Sequence, residues 1–307
     1  VSEPISHYIN PMEGTGGTKE SAEFAFKASF MHWGIHPWAN YAVIGLALAY
    51  FQFRKEKPGL ISTLLEPIVG KYAIGHWPGK MIDILASFAT GAGVVTSLGL
   101  GVLQINKGLS LIIGFPDNLT IQIIIICVIT IIFMLSAVSG VEKGIKSLSN
   151  ITAILACIFM VLAFMIGPKL TIMENFLNGV GNYLNDFIQD SLCITGYGDN
   201  SWVMGWRVFY WAWWVAWAPF VGIFIARISK GRTIREFVVG VVVAPALASI
   251  VWFAIFGTLG IDLGFNELLS REAMQEMASV PEEGLFLVLN QYPLGKVMSL
   301  VAIFLLF

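Results

Sequence analysis

Six stretches of this chain, each 19 to 26 residues long, contain no Asp, Glu, Lys or Arg: residues 28–53, 84–106, 118–141, 147–168, 208–226 and 237–261. A helix rises 1.5 Å per residue, so about 20 apolar residues cross the hydrocarbon core of a bilayer. Each stretch is therefore long enough to span a membrane as a helix. Barrel strands alternate in polarity over about 10 residues, and these continuous runs do not. A shorter run begins near Leu294 and continues to the last residue, covering 294–307 as a partial seventh span. The expected fold is an all-α integral membrane bundle, one domain over 1–307, cut from the interior of a longer protein and truncated at both ends.

Composition narrows the functional classes. Only 12% of the 307 residues are charged, about half of what soluble domains carry. The net charge of -2 argues against a nucleic-acid partner, which a basic excess would mark. Cys127, Cys157 and Cys193 are scattered and odd in number, so neither a disulfide framework nor a zinc site is expected. No nucleophile elbow or phosphate-binding loop occurs, and an enzyme is not expected. His32 and His36 are spaced like a metal pair, but no Asp, Glu or Cys nearby completes a site, so no metal and no resident cofactor is predicted.

Charge in the connections sets the orientation. Residues 54–83, 140–147 and 227–236 hold eleven basic and five acidic residues, a net +6, against -8 for the rest of the chain. By the positive-inside rule that side is cytoplasmic, and the six spans alternate without conflict in a multi-pass protein of the plasma membrane. Residues 173–192 form a different kind of segment. Met173, Phe176, Leu177, Val180, Leu184, Phe187, Ile188 and Leu192 recur at helical spacing between acidic and amide residues. This predicts an amphipathic helix on the outer surface, or an ordinary helix packed on the bundle.

Two aromatic clusters carry the chemistry. One is Trp33-Gly-Ile-His-Pro37-Trp38-Ala-Asn-Tyr41; the other runs from Phe209 through Trp213, Trp214 and Trp217 to Phe220. An interfacial belt of tryptophans accounts for Trp33 and Trp206. It accounts poorly for Trp213, Trp214 and Trp217, which fall 6 to 10 residues beyond Arg207, roughly 9–15 Å deep. Phe209, Trp213 and Trp217 share one helical face. Two readings stand: a wall facing a ligand, or core packing. A wall of electron-rich rings suits a quaternary ammonium, which cannot donate hydrogen bonds and is held by cation–π attraction. Neither span holds an acid, so the rings would act without a buried carboxylate. Pro37 and Pro219 are expected to interrupt helical hydrogen bonding there. The stretch Ala86 to Gly101 is rich in small residues suited to close helix packing, and its threonines could ligate a hard cation such as sodium.

On these residues the sequence resembles the betaine/choline/carnitine transporter family. The resemblance covers the whole chain in order. It is most specific from Phe209 to Phe220 followed by Ala226-Arg227-Ile-Ser-Lys-Gly231-Arg232-Thr-Ile-Arg235-Glu236. It implies a secondary transporter with two inverted five-helix repeats (the amino-acid/sodium symporter-like fold), of which this chain holds the fourth to ninth helices and the start of the tenth. It implies an aromatic box for a trimethylammonium substrate, made of Trp33, Trp38, Tyr41, Trp213, Trp214 and Trp217 with Phe209 nearby. It further implies osmoprotection by import of glycine betaine, sodium as the coupling ion at Thr90 and Phe220, and a homotrimer. The family's second threonine position is Val94 here, which lacks a side-chain oxygen. That departure keeps open a sodium-independent carnitine or betaine exchanger, a choline transporter, and an osmosensing module that binds without transport.

Overall fold

In the computed structural model, residues 1–71, 75–138, 144–194 and 198–306 are described. They form helices α1 (Ser2–Ile9), α2 (Lys19–Trp33), α3 (Ile35–Arg54), α4 (Ile61–Leu64), α5 (Glu66–Val69), α6 (Trp77–Ile113), α7 (Leu119–Val138), α8 (Gly144–Ile166), α9 (Lys169–Asn185) and α10 (Phe187–Leu192). A π-helical turn, Val203–Val208, leads into α11 (Phe209–Ile228). Helix α12 (Ile234–Val238) passes through a second π-turn, Val239–Val243, into α13 (Ala244–Phe265). Helices α14 (Arg271–Ser279), α15 (Pro281–Asn290) and α16 (Gly295–Leu306) follow. No strand occurs among the described residues.

Four helical stretches are long and apolar enough to cross a membrane: Trp77–Ile113, Leu148–Ile166, Val203–Ile228 and Ile234–Phe265. Many of their large side chains are exposed, including Phe88, Ile154, Val215 and Leu247. Water would penalise such a surface and lipid would not. The stretch 118–141 is built as α7 as far as Val138, and the rest of it, with Glu142 and Lys143 of the basic loop, lies outside the described residues. The stretch 28–53 is not one helix. It breaks at Gly34 between α2 and α3. Pro37 consequently falls in the first turn of α3, where its missing N–H would have had no helical partner anyway. Pro219 lies inside α11, which continues past it. The segment 173–192 divides into α9 and α10 at Asp186.

The chain forms two compact units. The first comprises Val1–Ser29, Leu98–Asn185 and Val251–Phe307. Its core closes around glycines of α13: a Cβ at Gly260 would fall 2.8 Å from Ile5, and one at Gly264 would fall 3.0 Å from Met274. Lys107 on α6 bridges Asp117 at 2.6 Å and Glu283 of α15 at 2.8 Å. The phenol of Tyr292 donates to the Leu259 carbonyl at 2.9 Å. Burial, aided by Asp262, holds that phenol above its usual range. On α9 the buried side chains are Ile172 and Tyr183, while Met173, Leu177 and Leu184 of the predicted apolar stripe are exposed.

The second unit comprises Phe30–Ser97 and Asp186–Ile250. Its frame is α3 packed along α11. Glycine permits that approach: a Cβ at Gly222 would lie 2.7 Å from Ile44 Cγ2, and one at Gly45 would lie 3.2 Å from the Phe237 ring. Tyr41, Ala42, Ala218, Ile225 and Phe237 form the core of the crossing. The basic connection is ordered by caps. Ser62 gives its backbone N–H and its hydroxyl to the two oxygens of Asp83, at 2.9 and 2.8 Å. Thr233 and Glu236 form a capping box that starts α12.

Candidate functional site

The second unit gathers the aromatic residues by a simple local logic. Helix α2 stops at Trp33 because Gly34 turns the chain, which leaves carbonyls at the end of α2 without helical partners. The indole N–H of Trp214 donates to one of them, the His32 carbonyl, at 3.1 Å. That bond fixes the Trp214 ring beside the break. The neighbouring Trp213 donates its indole N–H to Ser97 Oγ on α6 at 3.2 Å. Both rings are thus oriented by their only donor, as buried indoles usually are.

The rings then meet edge to face. Trp33 stands at 87° to Trp214 with centroids 5.0 Å apart, and at 82° to Trp213 at 6.2 Å. Tyr41 stands at 86° to Trp214 at 5.7 Å, and Trp38 packs on Tyr41 at 5.7 Å. Trp213 and Trp214 are nearly parallel, with centroids 5.7 Å apart, and Phe209 lies 5.8 Å from Trp213. Six of the seven predicted ring residues therefore join one contact network, with Trp214 at its centre. Trp217 stands apart. Its ring meets Phe220 at 5.8 Å, and its indole edge lies where a Cβ on Gly93 would approach within 3.0 Å.

The π-turn lengthens this span outward. Counted from Val203 to Ile228 it has 26 residues, and Trp213, Trp214 and Trp217 lie on either side of its middle. Arg207, which marks the edge of the uncharged stretch, is itself only 5% exposed. It donates to the Cys193 carbonyl at 2.8 Å and lies 5.8 Å over the Trp202 ring. Tyr210 was quoted in the sequence string without a role. It is buried and stacks on His32 at 4.6 Å, and it contacts Trp33, Trp213 and Trp214. Only its place among the tryptophans could have signalled this.

The two histidines do not form a pair on one helix, because the break at Gly34 separates them. His36 stacks on Phe187 at 4.3 Å and on Trp211 at 5.4 Å. Its Nε2 lies 2.7 Å from Ser191 Oγ, whose own hydroxyl proton goes to the Phe187 carbonyl. The chain of bonds therefore makes Nε2 the donor. A cavity of about 240 Å³ opens beside these groups, bounded by His36, Asn40, Ser191, Trp211 and Trp214.

Thr90 and Phe220 are not brought into hydrogen bond or ring contact. The Thr90 hydroxyl donates to the Ala86 carbonyl of its own helix at 2.9 Å, and Phe220 is exposed. The side chain of Gly93, one turn on, decides how near α6 comes to Trp217. Gly93→Val is expected to displace that indole, at a cost of about 1–3 kcal/mol. A lowered melting temperature and a shifted tryptophan emission in the full-length protein would register it; an unchanged protein would mean that α6 and α11 part freely here.

Long apolar helices with tryptophans gathered at the middle of a span define a helical membrane protein with an interior aromatic cluster. The sequence matches the betaine/carnitine/choline family of transporters over residues 1–307, and the chain belongs to that family, whose members are multi-pass proteins of the cell membrane. It is 45% identical over its full length to the glycine betaine transporter OpuD of Bacillus subtilis, covering 59% of that protein. It is 41% identical over its full length to an ectoine/hydroxyectoine transporter of Virgibacillus pantothenticus, covering 61% of it. Over 87% of the chain it is 41% identical to the osmo-independent choline transporter BetT1 of Acinetobacter baylyi, covering 51% of that protein. The chain thus spans about 60% or less of the length of these relatives.

Proposed function

We propose that the full-length protein is a secondary transporter that imports a quaternary-ammonium osmolyte, glycine betaine first, with the aromatic cluster as its substrate site. The observation that carries this reading is the convergence of Trp33, Tyr41 and Trp213 on Trp214 near the middle of a span. Ring edges here rest on ring faces. An edge offers partial positive charge to the face, and a trimethylammonium offers a full one. Entry of the substrate exchanges one for the other, so the site loses little ring contact and gains cation–π attraction. The names of the relatives, two of them betaine and choline transporters, support this substrate class.

Transport in this proposal proceeds by alternating access, in a fold of two inverted five-helix repeats, and the protein assembles as a homotrimer. The exposed apolar side chains of α9 and α10, Leu177, Leu184 and Ile188 among them, suit a helix lying at the interface or against a neighbouring subunit. Sodium drives uptake, with Thr90 and Phe220 contributing to an ion site that other helices complete. The second reading is a sodium-independent exchanger. It is favoured by Val94 at the position where a second hydroxyl would sit. The test is uptake of labelled glycine betaine by the full-length protein in vesicles. Sodium symport predicts accumulation that requires an inward sodium gradient. Uptake that requires internal substrate instead would replace symport by exchange, and no uptake under either condition would remove transport of this substrate.

A further inference from the structure

Resting on the substrate reading above, we propose that the cavity beside Trp214 is a carboxylate-reading subsite, in which Asn40 binds the anionic end of a zwitterion whose ammonium lies against the tryptophans. Three observations converge on this chemistry. First, the cavity shares a wall with the ring cluster through Trp214, and its volume of about 240 Å³ suits a small solute. Second, its free polar group is a donor. The Asn40 amide nitrogen is buried without a hydrogen-bond partner, which is costly unless a ligand supplies an acceptor. The other polar groups there, His36 and Ser191, already bond to each other. Third, the local charge is positive. No acidic side chain lines the cavity among the described residues. Arg207 is buried one turn before Trp211, about 6 Å along the helix, and its Nε also has no partner. Its bonds go to a carbonyl and a ring and leave the charge uncompensated.

An unpaired amide donor and a buried guanidinium select an anion, while Trp211 and Trp214 select a methylated cation. A ligand with both ends close together satisfies the whole surface. This distinguishes glycine betaine from choline, which carries the same trimethylammonium but a hydroxyl in place of the carboxylate. Asn40 thereby acts in specificity.

The test is binding of each ligand to the purified full-length protein by titration calorimetry. Asn40→Asp has nearly the same shape but places a carboxylate where the ligand's would lie. It is expected to weaken glycine betaine binding at least tenfold and to leave choline binding unchanged or tighter. Asn40→Ser, which keeps a donor, is expected to lose less. Unchanged glycine betaine affinity in Asn40→Asp would overturn the proposal, as would equal loss in the aspartate and serine variants. Trp214→Leu separates the two readings. It should weaken both ligands, and if it weakened neither, the aromatic substrate site would fail while the Asn40 result would still stand on its own.

Discussion

Replacing Trp214 by leucine in the full-length protein is expected to weaken glycine betaine binding by about 30- to 100-fold. The size follows from what the ring does. A desolvated cation–π contact contributes about 2 kcal/mol, and the indole N–H bond to the His32 carbonyl adds about 0.5–1.5 kcal/mol of local order. Each 1.4 kcal/mol is a factor of ten in affinity. The leucine variant also loses the surface on which Trp33 and Tyr41 are positioned. Lys19→Ala, at a site exposed to solvent, should change nothing. Equal binding by the two variants, measured by calorimetry, would make the tryptophans packing residues only.

The largest effect on stability is expected at Gly222. There α3 and α11 are close enough that a Cβ would lie 2.7 Å from Ile44 Cγ2 and 3.3 Å from the backbone nitrogen of Gly45. A methyl branch next to the main chain cannot swing away as a flexible tip could. Gly222→Leu must therefore part the two helices that carry Tyr41 and Trp214, at a cost of about 3 kcal/mol or more. Loss of a monodisperse peak and of glycine betaine binding together is the predicted result. Gly181→Leu on α9, where a Cβ would meet nothing within 4 Å, should be tolerated. A folded Gly222→Leu protein with normal binding would mean that the crossing is looser than the structure has it.

The sequence made the all-helical class legible because a bilayer imposes one strong requirement, a run of about 20 uncharged residues, and most of the long helices answer to it. The interruptions were harder to read. Gly34 breaks a stretch whose hydropathy is continuous, since a turn needs one small residue and no change in polarity. The π-turn at Val203–Val208 hides Arg207 inside a span, because charge counting assigns every arginine to an end while a guanidinium can be buried if a carbonyl and a ring receive it. The ring cluster was largely legible, since tryptophans at mid-span have few other uses, and Trp33, Trp213 and Trp214 do meet. Spacing alone could not show that Trp217 sits apart with Phe220, or that Tyr210 and Asn40 belong beside the rings. Those placements depend on rotamers and on the α3–α11 crossing, which no periodicity encodes.

The central claim is that the clustered rings hold a cation by its charge. The most direct measurement compares binding of glycine betaine and of its neutral-headed isostere 3,3-dimethylbutanoate to the full-length protein. The two share shape and carboxylate, and differ in whether nitrogen or carbon stands at the centre of the three methyl groups. Cation–π recognition by the rings around Trp214 predicts glycine betaine affinity at least 30-fold higher, a difference of about 2 kcal/mol. Equal affinities would show that the rings offer only apolar surface and would contradict the account.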